Sequence, residues 1–319
     1  MVVCNLLGIV NKFIDKHLHH ATIHLHKLTG KNKMTISLNE LVGKQIISFS
    51  GGRTSAYLCY LLKQIGVDVD VIFMDTGAEH PATYDFVKRC NEEFNLNLTC
   101  LRTVVKPQKG KGVTYRVVPI EDIKQDLQPY FDMCKKYSTP YTHGAFCTKT
   151  MKTTPFEKYC KEKYGKGNYT TWLGIRSDEP RRLPKEKKIG YSYLADISEF
   201  EKQDIIDFWR EMPFDLEITE FLGNCVFCVK KGNNKLAIAA KDEPQMAANF
   251  IKMIEDDSVP INFENDRHSK TIMYRNGHSL RSIIAMYEDV PREDIVKSLR
   301  RSFDTGSCSE SCEVFTEET

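Results

Sequence analysis

Residues 45–62 read QIISFSGGRTSAYLCYLL, and this stretch decides the fold. The mostly apolar run Gln45–Phe49 predicts a buried strand, and the residues after the two glycines predict a helix closed by Gly66. Adjacent glycines let backbone N–H groups approach an anion, and a helix N-terminus favours negative charge. The stretch therefore predicts a phosphate cradle. No lysine follows the glycines as it does in a Walker A loop, so transfer of a γ-phosphoryl group is not expected.

The same alternation of strand and helix continues along the chain. VDVDVIFMD (67–75) predicts a second strand, Pro81 opens a helix, and LNLTCLRTVV (96–105) predicts a third strand. A later strand is predicted at NYTTWLGI (168–175). This order is typical of an α/β fold with a doubly wound parallel sheet, followed here by a mostly helical C-terminal part. Ligands of such sheets bind at the carboxyl ends of the strands, so the glycine turn and Asp75–Gly77 are expected to be neighbours.

Three regions are predicted along the chain: an N-terminal extension (1–40), a nucleotide-binding α/β domain (41–197) and a mostly helical region (198–319). Five histidines of the extension allow either a metal site or a solvated, loosely ordered segment. They are His17, His19, His20, His24 and His26.

Composition excludes some classes of protein. The chain has 319 residues, 41% hydrophobic and 28% charged, with a formal net charge of +2. This near-neutral balance gives no general case for a nucleic-acid or membrane partner. No apolar run reaches the roughly 18 residues of a spanning helix, and the start lacks the pattern of a signal peptide. A cytoplasmic protein is expected, in which the eleven cysteines are thiols, ligands or nucleophiles.

An arginine-rich segment follows the later strand, in the sequence GIRSDEPRR (174–182). Arg176, Arg181 and Arg182 can bind phosphate or sulfate oxygens in bidentate fashion. Asp178 and Glu179 either hold these arginines or bind a metal. A surface cluster of salt bridges is the alternative interpretation.

The basic stretch KPQKGKGVTY (106–115) interrupts the regular pattern. It is interpreted either as a solvated surface loop or as a mobile loop that closes over a phosphate-bearing ligand.

Six of the eleven cysteines fall into two groups. Cys59, Cys90 and Cys100 fall within predicted core elements and are expected to be buried. Cys225 and Cys228 form a C-x-x-C pair, a spacing that lets two thiolates reach one metal or cluster. Cys147 precedes a predicted helix (148–164), whose positive end favours a thiolate.

Four segments taken in order resemble the phosphoadenosine phosphosulfate reductase family of the PP-loop superfamily. They are SGGRTS (50–55), FMDTGAEHPATYDFV (73–87), CTKTMKTTPFEKY (147–159) and LGIRSDEPRR (173–182). The resemblance implies an adenine nucleotide alpha-hydrolase-like fold. It also implies that fourteen residues bind the nucleotide. These are Ser48, Ser50, Gly51, Gly52, Arg53, Thr54, Ser55, Asp75, Thr76, Gly77, Gly174, Arg176, Arg181 and Arg182.

The resemblance further implies a 4Fe-4S cluster on Cys147, Cys225 and Cys228. Phe146 stands where cluster-containing members have a further cysteine. The fourth position is therefore open, as in related sulfur-transfer enzymes, or is filled by Cys134, Cys308 or Cys312. A zinc site and a C-x-x-C pair without metal are the alternatives.

Family reductases use a cysteine near the C-terminus as the nucleophile. In this chain the corresponding candidates are Cys308 and Cys312, with Arg176 assisting, although the family's Glu-Cys-Gly ending is absent. Mobile tail cysteines without a catalytic role are the alternative.

Two reactions follow from the resemblance. The first is reduction of phosphoadenosine phosphosulfate (PAPS) or adenosine phosphosulfate (APS) to sulfite by a cysteine thiolate, with a thiol donor such as thioredoxin. The second is ATP-dependent sulfur transfer to DNA or tRNA, with Mg²⁺ accompanying ATP. A non-enzymatic, nucleotide-sensing module is a third interpretation. The oligomeric state is not indicated.

Overall fold

The computed structural model describes residues 41, 43–108, 110–186, 188–261 and 269–301. Six strands form one sheet in the order β4-β3-β2-β1-β5-β6. They are β1 (Lys44–Phe49), β2 (Val69–Asp75), β3 (Thr99–Val105), β4 (Val113–Val118), β5 (Tyr169–Leu173) and β6 (Tyr191–Tyr193). The predicted α/β fold is confirmed, and β1 occupies an inner position, as expected of the strand that precedes the glycine turn.

Parallel pairing surrounds β1. Gln45 is opposite both Val69 of β2 and Thr170 of β5, and β5 pairs in parallel with β6. Ile46 and Ile47 are fully buried, which explains why this strand reads as a continuous apolar run.

The sheet departs from the sequence prediction at β4. Val113 and Tyr115 were expected in the basic loop, but they lie in a strand that pairs antiparallel with β3, with Val105 opposite Val113. The predicted doubly wound sheet is thus mostly parallel, with one antiparallel strand at this edge. A short connection suffices between antiparallel strands, whereas a parallel crossover needs a dozen or more residues.

The helices follow the strands. They are α1 (Arg53–Gln64), α2 (Pro81–Glu93), α3 (Gln128–Tyr137), α4 (Thr154–Tyr164), α5 (Lys202–Glu211), α6 (Asn233–Asp242), α7 (Pro244–Glu255), α8 (Leu280–Met286) and α9 (Arg292–Arg301). A π-helical turn, Lys149–Thr153, leads directly into α4. The helices predicted after the two glycines, from Pro81 onward and over 148–164 are thus confirmed, as is the mostly helical character of the C-terminal part.

The chain divides into two compact units. The first contains the described residues up to Phe73, together with Phe86–Thr99 and Cys160–Leu216. Its core includes an aromatic cluster around Trp209, whose ring lies 4.9 Å from Phe86 and 5.5 Å from Phe214. The Trp209 indole N–H also donates to the carbonyl of Arg53 at 3.1 Å, so this cluster supports the start of α1.

The second unit contains Met74–Asp85, Cys100–Tyr159 and the described residues from Glu217 onward. Its core is built from α3, α6, α7, α8 and α9, with Met133, Leu236, Ile238 and Ile283 fully buried. The three regions predicted from the sequence are contiguous, whereas each of these units draws on three separate stretches. Across the described residues, none of the helices has the length and apolarity needed to cross a membrane.

Candidate functional site: an oxyanion cradle and a thiol-lined cleft

Residues 50–55 form the glycine turn between β1 and α1, which was predicted to be a phosphate cradle and is called the cradle here. Gly51 has φ +79°, a conformation that L side chains rarely adopt, and Gly52 is the N-cap of α1. The first turn of α1 contains no acidic residue, so none of its own side chains competes with an anion for the positive end of the helix. This part of the first unit is suited to bind an oxyanion.

Two serines fix the shape of the cradle. The Ser55 hydroxyl donates to the Gly52 carbonyl at 3.0 Å and accepts from the Ser50 backbone N–H at 3.2 Å. The Ser50 and Ser55 hydroxyls lie 2.9 Å apart. Ser55 is buried, whereas Ser50 is exposed and can turn its hydroxyl to a ligand.

Arg53 has a structural partner that the sequence does not reveal. Its guanidinium donates twice to the Asp215 carboxylate, at 2.7 and 2.9 Å, and once to the Leu216 carbonyl at 2.6 Å. The Arg53 guanidinium, which was predicted to bind the nucleotide, therefore anchors the segment after α5 to the start of α1.

Gly174 packs directly against the cradle. A Cβ at this position would lie 2.8 Å from the Ser55 Cα and 2.9 Å from the Ser55 backbone nitrogen. The end of β5 thus holds the cradle from one side, and only glycine fits there without displacing it.

We expect Gly174→Ala to weaken adenine nucleotide binding at least tenfold, because the backbone of Ser55 must move. Overpacking of this kind also costs about 1–3 kcal/mol of stability. Calorimetric titration measures the affinity. Gly112→Ala is the matched control, because a Cβ at Gly112 meets nothing within 4 Å. Equal affinities of the two variants would contradict this role of Gly174.

The arginine-rich loop is tied to the cradle within the first unit. Arg176 is 4% exposed and donates to Asp178 through Nε at 2.7 Å and Nη2 at 3.1 Å. Its Nη1 donates to the Thr54 hydroxyl at 3.2 Å. Burial raises the pKa of Asp178, but the hydrogen bonds from Arg176 outweigh burial and bring this pKa below its ordinary value. Asp178 was predicted either to hold an arginine or to bind a metal, and in the structure it holds Arg176.

Glu179 organises the rest of this loop. Its Oε2 accepts the Arg176 backbone N–H at 3.1 Å, and its Oε1 accepts from Arg182 Nη1. Arg181 is exposed. A hydrogen bond between Thr54 and Arg176 thus joins the cradle to the arginine-rich loop.

Asp75 lies in the second unit, at the end of β2. It is fully buried, and its Oδ1 caps the turn by accepting the Gly77 N–H at 3.0 Å. Its Oδ2 accepts Arg102 Nε at 2.8 Å, and Arg102 Nη1 also donates to Asp126 at 2.8 Å. Burial raises the pKa of Asp75, and Arg102 opposes that shift.

Glu79 is a residue that the sequence interpretation missed. It is 2% exposed, and its Oε1 lies 3.3 Å from Lys152 Nζ and 3.6 Å from Cys225 Sγ. Cys225 pairs with Glu79 in an isolated antiparallel bridge. A carboxylate two residues after the Asp75–Gly77 motif was the available signal. Cys225, one of the predicted cluster ligands, therefore lies beside the buried ion pair of Glu79 and Lys152.

The three predicted cluster cysteines line one cleft of the second unit. Cys147, Cys225 and Cys228 share this cleft with apolar side chains and Lys152. The donor set is thus gathered on one cleft. However, no three Cys, His, Asp or Glu side chains among the described residues form a group that could hold a metal ion. The cluster and the zinc alternative stay predictions, and no chemical step is derived through either.

The remaining residues predicted from the sequence lie in the core, in the cleft or outside the described residues. Cys59, Cys90 and Cys100 are buried, as expected, and burial raises the pKa of Cys59. Thr76 lines the cleft, and Gly77 has φ +70°. Ser48 lies in β1 and is half-buried. Cys308, Cys312 and the N-terminal histidines lie outside the described residues.

Comparisons with known proteins identify related chains. A model of the phosphoadenosine phosphosulfate reductase domain matches residues 44–192. The uncharacterized nin region protein ORF290 of Escherichia phage lambda is 47% identical over 281 residues, 85% of this chain and 94% of that protein. The phosphoadenosine 5'-phosphosulfate reductase of Alteromonas mediterranea is 37% identical over 78 residues, which cover 24% of this chain and 32% of the enzyme. The chain thus matches about a third of that reductase's length.

A solved structure of phosphoadenylyl-sulfate reductase from Candida auris, a phosphate complex, is also similar to this protein. The alignment covers 60% of this chain and 85% of the reductase chain. It is 19% identical, with a TM-score of 0.35, so the fold assignment rests on the strand order described above.

The strand order and the glycine turn define an α/β protein with a nucleotide-binding fold of the PP-loop type. Within that class, the chain belongs to the phosphoadenosine phosphosulfate reductase family.

Proposed function

We propose that the protein is a sulfonucleotide reductase that converts PAPS or APS to sulfite. The observation that carries the proposal is the hydrogen bond between Arg176 and Thr54, which joins two oxyanion-binding elements in one unit. A sulfonucleotide carries two adjacent oxyanions, an α-phosphate and the sulfo group on it. The partial match to named reductases supports the same substrate class.

The cradle would act on the leaving group. When a thiolate attacks the sulfur, the bond between sulfur and the α-phosphate oxygen breaks, and the electron pair leaves with the adenosine phosphate. Backbone N–H groups at Gly51 and Gly52, together with the positive end of α1, stabilise the charge that develops there. The arginine-rich loop binds the sulfo group while it is transferred.

The thiols complete the reaction. The first thiolate becomes an S-sulfocysteine. A second thiolate then attacks the Sγ of that cysteine, the bond between Sγ and the sulfo group breaks, sulfite leaves with the electron pair, and a disulfide remains. An external dithiol of the thioredoxin class then restores both thiols. Cys308 and Cys312 are the predicted pair, and the protein would act in the cytoplasm.

A second candidate is ATP-dependent sulfur transfer to a nucleic acid. It is supported by the position of Cys147, Cys225 and Cys228 on one cleft, because such an enzyme must hold sulfur on a thiol or an iron-sulfur cluster. In that reaction ATP and Mg²⁺ would occupy the cradle, and pyrophosphate would leave.

The two candidates differ in their products. The anaerobically purified, full-length protein is incubated with PAPS or APS plus reduced thioredoxin, and separately with ATP plus tRNA or DNA. We expect sulfite without pyrophosphate, and loss of at least 100-fold of the rate in Cys308→Ser or Cys312→Ser, because a serine hydroxyl is not a comparable nucleophile. Cys4→Ser is the matched control and retains the rate. Pyrophosphate without sulfite would overturn the reductase in favour of the sulfurtransferase.

A further inference from the structure

The C-x-x-C loop, residues 225–230 of the second unit, has a hydrogen bond at each of its backbone carbonyl groups. Two of these bonds close consecutive turns: the Cys228 N–H donates to the Cys225 carbonyl at 3.1 Å, and the Lys231 N–H donates to the Cys228 carbonyl at 3.0 Å. The other four carbonyls accept from side chains. Water can satisfy loop carbonyls, whereas here protein side chains do so, and the loop is therefore held in one conformation.

Lys231 bonds the first of the two residues between the cysteines. It is 2% exposed, and its ammonium donates to the Phe221 carbonyl at 2.7 Å and to the Val226 carbonyl at 3.0 Å. A lysine is rarely so buried unless its charge is compensated. Because the two carbonyls provide part of that compensation, the ammonium ties the loop to the segment that precedes it.

Tyr274 bonds the second of these residues. Its side chain is 3% exposed, and its hydroxyl donates to the Phe227 carbonyl at 3.0 Å. The N–H groups of Met273 and Tyr274 both donate to the His278 carbonyl, at 3.2 and 3.0 Å. A tight turn therefore holds the tyrosine that holds the loop.

Two further side chains fix the end of the loop. The Thr142 hydroxyl donates to the Val229 carbonyl at 3.2 Å, and Arg275 Nη2 donates to the Lys230 carbonyl at 3.2 Å. Cys225 and Cys228 both line the cleft. The pinned backbone thus keeps both thiols on the same cleft.

We propose that Tyr274 and Lys231 are positioning residues that hold the thiols of Cys225 and Cys228 as a preformed pair, in which one thiophilic atom binds between them. A site that is already ordered binds more tightly, because the ligand does not have to order the loop. This inference goes beyond the proposed function, since it concerns how the pair is held and does not require the reductase reaction.

Titration of the reduced, full-length protein with Cd²⁺ tests the proposal, because Cd²⁺ is a soft ion and thiolates are soft ligands. The ultraviolet thiolate-to-cadmium absorption band reports binding. The part of this band that is lost in both Cys225→Ser and Cys228→Ser belongs to the pair. We expect Tyr274→Phe to weaken Cd²⁺ binding at the pair about 3- to 10-fold, the usual worth of one hydrogen bond, and Lys231→Met to weaken it about 10-fold or more.

Two matched controls remove similar contacts elsewhere in the second unit. Tyr287→Phe deletes a hydroxyl that donates to Asn234, and Lys270→Met removes an ammonium that donates to the carbonyls of Asp256 and Val259. Both controls are expected to lower the free energy of unfolding in urea but to change Cd²⁺ affinity less than twofold.

The outcomes separate positioning from a purely structural role. If Tyr274→Phe is destabilised but binds Cd²⁺ as tightly as the controls do, the positioning role is overturned. Because this variant loses a single oxygen atom, it decides the question even if Lys231→Met does not fold. A protein in which the band is absent, or survives in both cysteine variants, would overturn the preformed pair. Sulfite release is measured separately, so either failure leaves the proposed function standing.

Discussion

Gly51→Val is expected to abolish detectable binding of adenine nucleotides. Gly51 adopts φ +79°, and valine is strongly disfavoured there because its branched Cβ meets the backbone. The turn must therefore change shape, and its N–H groups no longer converge on an oxyanion. An affinity loss of at least 100-fold is expected by calorimetric titration with APS or ATP.

The control for Gly51→Val must carry the same backbone strain at another site. Gly66 has φ +77° at the end of α1, and a Cβ there meets nothing within 4 Å. Gly66→Val should therefore lose stability by about 1–2 kcal/mol but bind nucleotide normally. If Gly51→Val binds as tightly as Gly66→Val, the cradle has been placed wrongly.

Arg102→Met is expected to destabilise the second unit by about 3–5 kcal/mol. The substitution leaves Asp75 fully buried without its cationic partner, and an uncompensated buried charge is among the most costly defects in a folded protein. The free energy of unfolding from urea titration measures the effect. Asp126→Asn, which alters the partly exposed partner of Arg102, should cost only about 1 kcal/mol.

The cost of Arg102→Met should depend on pH. Burial already raises the pKa of Asp75 in the folded protein, and removal of Arg102 raises it further. A carboxyl group whose folded pKa is above its unfolded pKa loses stability as pH rises from the unfolded value to the folded one. The variant should therefore be closer to the unaltered protein near pH 5 than at pH 8. A difference independent of pH would contradict the account of Asp75.

The strand-loop-helix at 44–64 could be predicted because its determinants are local. Apolar periodicity, two glycines and helix spacing all lie within one stretch of the chain. The β4 strand could not be predicted in the same way. VTYRVV is short and alternates weakly, and its pairing with β3 is decided by the partner strand rather than by its own residues.

The partners of the site residues could not be predicted from the sequence either, because each partner lies far along the chain from the residue that it contacts. Arg53 and Asp215 are 162 positions apart, and Glu79 and Cys225 are 146 positions apart. Arg102 did carry a signal, since a charged residue in the middle of the apolar run TCLRTVV requires a buried partner. Sequence reasoning identified the residue types that bind an oxyanion, but not which arginines are already paired within the protein.

The central claim is that the cradle holds a sulfonucleotide whose sulfur is taken by a cysteine. A single-turnover incubation tests it most directly: prereduced protein is mixed with ³⁵S-labelled PAPS or APS without an external dithiol, and the label is followed. The account predicts one equivalent of labelled sulfite per active site, through a protein-bound S-sulfocysteine that dithiothreitol releases as sulfite. Label that remains entirely on the nucleotide, while the protein shows full affinity for it, would contradict the account.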